Sequence, residues 1–147
     1  LARAFGARWI LRGDAVDIAE RVRRLTRGRG LDAAAIAVPA DAVVHQAQEL
    51  VRGAGQILVF AHTRRGAPTG VDLAGICVDE KDLLGSYSAD FTLQKDVARL
   101  VFGRQLDVRA LISHRFPLEQ TAAAIELAAH PTADSLKVMV GGVETQP

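Results

Sequence analysis

The chain has 147 residues, 49% of them hydrophobic and 24% charged, which is enough for one folded domain or parts of two. Its 18 basic and 17 acidic residues leave a net charge of +1, which gives no electrostatic case for binding nucleic acid or an anionic membrane. No apolar run reaches the ~18–20 residues of a membrane span, and the single cysteine, Cys77, excludes an intramolecular disulfide framework.

Helix and strand patterns alternate over the first 60 residues. The opening "LARAFGA" is typical of a helix end, "RWIL" is a short strand candidate, and Asp14 is predicted to cap a helix to about Thr26. The segments "LDAAAIAV" (31–38) and "QILVFA" (56–61) are apolar almost throughout, which is typical of strands covered on both faces. Between them we predict a helix capped by Asp41 and ended by Gly53. This alternation predicts an α/β fold with an open, doubly wound parallel sheet.

The pattern changes after residue 61. Residues 62–80 are predicted to form a long loop with a short turn, followed by a strand in "KDLLGSYS" where Gly85 marks a bend or a close approach. A helix from Asp90 to Gly103 is predicted to bury Leu93, Val97, Leu100 and Val101. Pro117 is predicted to begin a second helix with a buried stripe of Ala122, Ile125 and Ala129, ahead of a covered strand "SLKVMV".

Four segments then carry a family resemblance. In their order and spacing, "LTRGRGLDAAAIAV", "LVRGAGQILVFA", "EKDLLGSYS" and "LISHRFPLEQTAAAIELA…SLKVMV" resemble the C-terminal half of medium-chain zinc-dependent alcohol dehydrogenases, in the sorbitol and threonine dehydrogenase-like branch. The resemblance implies that residues 1–88 are the later part of a Rossmann nucleotide-binding domain. Residues 89–147 would then be a segment that returns to the catalytic domain.

The same resemblance implies an activity and a set of cofactors. The expected reaction is hydride transfer between NAD or NADP and a secondary alcohol or polyol, with zinc assistance, in a cytoplasmic homo-oligomer (dimer or tetramer). Leu1 is not an initiator methionine, so we expect a piece of a longer protein. The phosphate-binding glycine fingerprint and the zinc ligands would lie upstream of it. We therefore predict no catalytic or metal-binding residue in this chain, and no activity for it alone.

Candidate cofactor contacts follow from where the strands end, because ligands bind beyond the carboxyl ends of an open parallel sheet. Pattern alone places Val38 and the run Phe60, Ala61 and His62 there, and the resemblance adds Gly85, Ser86 and Tyr87, whose backbone would reach the nicotinamide carboxamide. Similar sequences often have glycine where Pro39 and Ala61 stand, and Pro39 removes a backbone donor.

Other reactive side chains have simpler interpretations. Cys77 is predicted to be a buried small residue, His45 and His130 to be solvated, and His114 to position the loop before a helix. Two alternatives to the zinc enzyme stay open at this point. One is a zinc-independent quinone reductase-like enzyme, and the other is a non-catalytic α/β ligand-binding module.

Overall fold

The computed structural model describes residues 1–61, 65–88 and 90–141, which divide into two compact units, Leu1–Ser88 and Ala89–Pro147. The first unit contains α1 (Ile18–Leu25), β1 (Leu31–Ile36), α2 (Asp41–Leu50), β2 (Val51–Val59), α3 (Leu73–Val78) and β3 (Asp82–Gly85). Its strands form one sheet in the order β1–β2–β3, and both neighbouring pairs are parallel. The predicted parallel α/β architecture is confirmed, and "LDAAAIAV" and "QILVFA" lie side by side in the same direction.

The core of the first unit lies between the sheet and α2. Ile57 is completely buried at the centre of β2 and packs in a cluster with Ile36, Ala47 and Val51. Ile76 of α3 packs against the same cluster, so both helices cover the same face of the sheet. On the other face Ala35, Leu58 and Leu84 pair across the three strands, and Ala35 and Leu84 are exposed. The described residues thus supply one helix layer of a doubly wound sheet.

The N-terminal segment differs from its predicted structure. "RWIL" forms no strand, and Trp9 and Ile10 are about half exposed, because no described strand pairs with this segment. Helix α1 begins later than predicted. Asp17 caps it by accepting a hydrogen bond from the Glu20 amide at 2.9 Å, whereas Asp14 pairs with the Arg12 guanidinium. Two acidic residues of equal capping propensity stand three positions apart, and only their backbone conformation distinguishes them.

The passage from α2 to β2 is tighter than the sequence suggests. Asp41 is the first residue of α2 with Ala40 at its cap position, and the helix ends at Leu50, three residues before Gly53. The β1–β2 register shifts between the pairs Leu31–Val51 and Ala33–Gln56, so β2 bulges there. A Cβ on Gly55 would stand 2.6 Å from Val51 Cγ1. Close packing at this bulge therefore requires the glycine at 55.

The second unit contains α4 (Gln94–Phe102), β4 (Ile112–Phe116), α5 (Thr121–Ala129) and β5 (Lys137–Val140). Strands β4 and β5 are parallel, and the Ser113 hydroxyl accepts a hydrogen bond from the Leu136 amide at 2.8 Å. Strand β4 was not predicted from the sequence, because its polar residues interrupt the apolar pattern that is typical of a strand. Across the described ranges, no helix combines the length and hydrophobicity that crossing a bilayer requires.

The predicted buried faces of α4 and α5 are wrong. In α5 the buried residue is Ala124, whereas Ile125 is 64% exposed. The reason lies at the start of this helix: Pro117 precedes a separate 3-10 turn, Leu118–Gln120, so α5 starts at Thr121 with a different rotation. Of the face predicted for α4, Val97 and Leu100 are 52% and 43% exposed and Val101 is partly buried, while Leu93 lies in the preceding 3-10 turn, Phe91–Leu93, and is 56% exposed. No described residue covers this face.

Candidate functional site

The three parallel strands of the first unit end together. Ile36, Val59 and Gly85 are register partners at the carboxyl ends of β1, β2 and β3. Val38, Phe60, Ala61, Ser86 and Tyr87 follow these ends, so the fold brings the predicted contact residues to one edge of the sheet. His62, the remaining residue of the predicted set, lies outside the described residues. This edge, which we call the carboxyl edge, is where ligands bind in open parallel sheets.

Three backbone amides at the carboxyl edge already donate hydrogen bonds within the protein. The Phe60 and Ala61 amides both donate to the Ile36 carbonyl, at 3.2 and 2.9 Å, and the Ser86 amide donates to the Val59 carbonyl at 3.1 Å. These three donors are therefore committed within the protein. A ligand at Ser86 would be met by its carbonyl or hydroxyl oxygen and not by its amide.

Side chains at the carboxyl edge are largely apolar and solvent-facing. Val38 and Phe60 are about half exposed, and Tyr87 is 80% exposed. Exposed apolar side chains gathered at one edge are typical of ligand-binding surfaces. At Gly85 a Cβ would meet no described atom within 4 Å, so internal crowding does not require glycine at the end of β3.

A cavity of about 340 Å³ opens beside the ends of β1 and β2. Its walls are the ends of the two strands, the start of α2 and the segment after residue 64. The lining residues are Ile36, Val38, Pro39, Ala40, Val44, Val59, Ala61, Arg65, Gly66, Ala67, Thr69, Val71 and Leu83. Of the predicted contact residues that the structure describes, Val38 and Ala61 line it. Among the described residues Arg65 is the one charged side chain in this lining.

The segment after residue 64 is tied to α2. Thr69 Oγ1 donates a hydrogen bond to Asp41 Oδ1 in the first turn of the helix. Ala40, at the cap position, has no side-chain capping bond, and Pro39 before it cannot donate from its backbone. Sequence reasoning missed Arg65 and Thr69, because both fall in a stretch that was treated as loop. The adjacent arginines and glycine at 64–66 were the available signal.

A second cavity, of about 360 Å³, lies between α2 and α3 and is lined by His45, Gln48, Glu49, Asp72, Gly75, Ile76, Asp79 and Lys81. Lys81 donates to the Gln48 carbonyl at 2.9 Å and pairs with Asp79 at 3.0 Å. The Gln48 side chain accepts from the Asp72 amide at 2.9 Å. Lys81 precedes β3, so this cavity lies toward the amino ends of the strands. Its polar groups serve the packing of the two helices.

The cysteine and the three described histidines lie apart from the carboxyl edge, in or beside different elements. Cys77 is exposed on α3, so the prediction of a buried cysteine is wrong. His45 and His130 are exposed as predicted, and His130 contacts Glu126 at 3.0 Å. His114 is half-buried within β4, where its ring contacts the Ser113 hydroxyl. Within the described part of the chain, no cluster of three or more His, Cys, Asp or Glu side chains could hold a metal ion.

Arginine contacts lower the pKa values of several carboxyl groups. The Arg52 guanidinium, with help from Arg29, holds the pKa of Asp32 below its usual value at the start of β1. A hydrogen bond from Arg109 lowers the pKa of Asp107 to about 2 in the second unit. Both carboxyls are exposed, so these shifts come from local ion pairs.

Comparisons with known proteins agree with this arrangement. Residues 1–103 match the family described as zinc-binding dehydrogenase. The sorbitol dehydrogenase of Bacillus subtilis is 29% identical over 140 residues, which are 95% of this chain and 39% of that protein. An alcohol dehydrogenase from Thermotoga maritima is 25% identical with a TM-score of 0.83, and the alignment covers 96% of this chain and 39% of that one.

A further solved structure resembles the chain in fold. It is a short chain alcohol dehydrogenase from E. coli complexed with NADH, which is 20% identical with a TM-score of 0.83 and covers 95% of this chain and 40% of that one. The chain therefore spans about two fifths of the length of the relatives it matches.

Proposed function

Because the chain belongs to the zinc-binding dehydrogenase family, we propose that it is the cofactor-binding part of an oxidoreductase. The proposed reaction is hydride transfer between NAD or NADP and a secondary alcohol or polyol. The observation that carries the proposal is the carboxyl edge, where three parallel strands end together beside a cavity of about 340 Å³. The sorbitol dehydrogenase relative supports the substrate class.

The proposal divides the chain into two functional parts. Residues 1–88 are the later part of a Rossmann domain, and residues 89–147 are a segment of the catalytic domain. The boundary between the two compact units falls at the same position in the sequence, after Ser88, which supports this division. Since the relatives are longer, we propose that the chain works within a longer polypeptide, which completes the sheet and supplies the catalytic residues.

Within this proposal the carboxyl-edge residues contact the cofactor. Val38 and Ala61 line the cavity, and Phe60 and Tyr87 present exposed aromatic surface at the carboxyl edge. Gly85 leaves open space at the end of β3, and Ser86 offers oxygen acceptors, since its amide is already used. His62 stays a candidate by its position in the sequence after β2. These residues would bind and orient the nicotinamide half of the cofactor.

The described residues of this chain do not suit zinc, because they contain no cluster of three or more His, Cys, Asp or Glu side chains that could hold a metal ion. The family name supports zinc in the whole enzyme, and we propose that its ligands lie in a lobe outside residues 1–147. We also propose that the whole enzyme is a cytoplasmic homo-oligomer. No described strand pairs with the outer edge of β3, which supports self-association, because the backbone groups of an edge strand can pair with a second copy.

The test uses the full-length protein that carries this chain. NADH and NADPH are titrated by fluorescence, and oxidation of sorbitol and other secondary alcohols is measured with both cofactors, before and after chelation. We expect dinucleotide binding, turnover of at least one alcohol, loss of activity on chelation and an oligomer by light scattering. Failure to bind both NADH and NADPH would contradict the proposal and favour a non-catalytic module. Chelation-resistant reduction of quinones would favour the zinc-independent alternative.

A further inference from the structure

On the premise of the proposed function, we infer that Arg65 is a cofactor-contacting residue whose guanidinium binds a phosphate group of the dinucleotide. The residue stands at the wall of the carboxyl-edge cavity, in the stretch that follows β2. No residue of this stretch was assigned a role by the sequence pattern beyond His62.

The composition of the cavity wall indicates the chemistry of the ligand. Its lining is mainly aliphatic, and among the described residues Arg65 is the one charged residue in it. Arg65 is exposed, so an anionic group of a ligand can reach its charge from solvent and accept charge-assisted hydrogen bonds from it. The site therefore suits a ligand that joins an apolar body to an anionic group, as a dinucleotide does.

Local geometry keeps Arg65 at the cavity. Gly66 adopts a φ of +83°, a conformation that L side chains rarely adopt, so the chain turns directly after Arg65. Three residues later the Thr69 hydroxyl holds the segment to Asp41 on α2.

The reaction itself identifies the anion. The alcohols and polyols of the proposed substrate class are uncharged, whereas the dinucleotide carries phosphates. A planar guanidinium can donate two parallel hydrogen bonds to a phosphate, which makes arginine effective in this role. The partner of Arg65 is thus a cofactor phosphate, and the loss of Arg65 should weaken dinucleotide binding even when no alcohol is present.

The experiment measures NADH binding to the full-length protein by fluorescence in three variants and over a range of ionic strength. We expect Arg65→Ala to raise the Kd for NADH by about 10- to 100-fold, the usual range for a hydrogen bond to a charged group. Arg65→Lys should recover part of the affinity, because lysine keeps the charge without the paired donors. The matched control Arg21→Ala removes the same charge from α1 and should leave the Kd unchanged.

The salt dependence separates a phosphate contact from a packing effect. The affinity of the wild-type protein for NADH should fall with rising salt. The affinity of Arg65→Ala should fall less steeply, because one ion pair is missing. An unchanged Kd in Arg65→Ala, or an effect confined to the KM for alcohol, would overturn the inference while leaving the proposed function intact. If the wild-type protein itself fails to bind NADH, the proposed function is the part that fails.

Discussion

Replacing Ile57 by alanine tests whether the β1–β2–α2 core holds the first unit together. Ile57 is completely buried, with 0% of its surface accessible to solvent, and it packs with Ile36, Ala47 and Val51. The change removes an ethyl and a methyl group, worth about 2.4 kcal/mol at ~0.8 kcal/mol for each carbon group. The cavity left behind adds to this, so we expect a loss of about 3–4 kcal/mol in the free energy of unfolding.

Ile10→Ala is the matched control, since it makes the same chemical change in the same unit. Ile10 is 48% exposed, so less apolar surface returns to water and no enclosed cavity forms. We expect a loss of at most about 1 kcal/mol there. The free energy of unfolding of both variants is measured by guanidinium unfolding at low micromolar protein concentration, followed by far-ultraviolet circular dichroism. Equal losses at the two positions would refute the assignment of the core.

Three smaller predictions concern exposed groups. Nuclear magnetic resonance titration should give Asp107 a pKa of about 2, and Arg109→Ala should return that pKa toward its usual ~3.9. Because the folded pKa is lowered, this pair stabilises the fold above about pH 4 and loses that effect as the pH falls toward about 2. Asp17→Ala should cost about 1 kcal/mol of stability through the lost helix cap, whereas Asp14→Ala should leave helix content unchanged. Ala54→Gly should stabilise the chain by about 0.5–1 kcal/mol in chemical unfolding, because Ala54 has a φ of +53°.

The apolar runs determined the architecture of the first unit. "LDAAAIAV" and "QILVFA" are predicted from sequence as buried strands, and their parallel pairing follows from the helix between them. Because parallel strands end at a common edge, the chain order also predicted that Val38, Phe60 and Ala61 would come together there. These predictions depend on covalent order and on hydrophobic burial, and both can be read from a sequence.

Tertiary structure alone decided features in which several local solutions have similar energies. Asp14 and Asp17 are equally good caps, and the backbone before α1 selected Asp17. Pro117 is compatible with a helix start, but an intervening 3-10 turn rotated α5 and buried Ala124 in place of the predicted stripe. "RWIL" has strand propensity, yet a strand forms only where a neighbour accepts its hydrogen bonds.

The cavity was equally beyond the reach of the sequence pattern. Arg65 and Thr69 follow β2 in a stretch without periodicity, so nothing in the residue order relates them to Val38 or to the start of α2. Their place depends on one backbone turn at Gly66 and one side-chain hydrogen bond to Asp41, which joins residues 28 positions apart. Hydrophobic order along the chain therefore determined where the strands end, and long-range polar contacts determined what stands beside those ends.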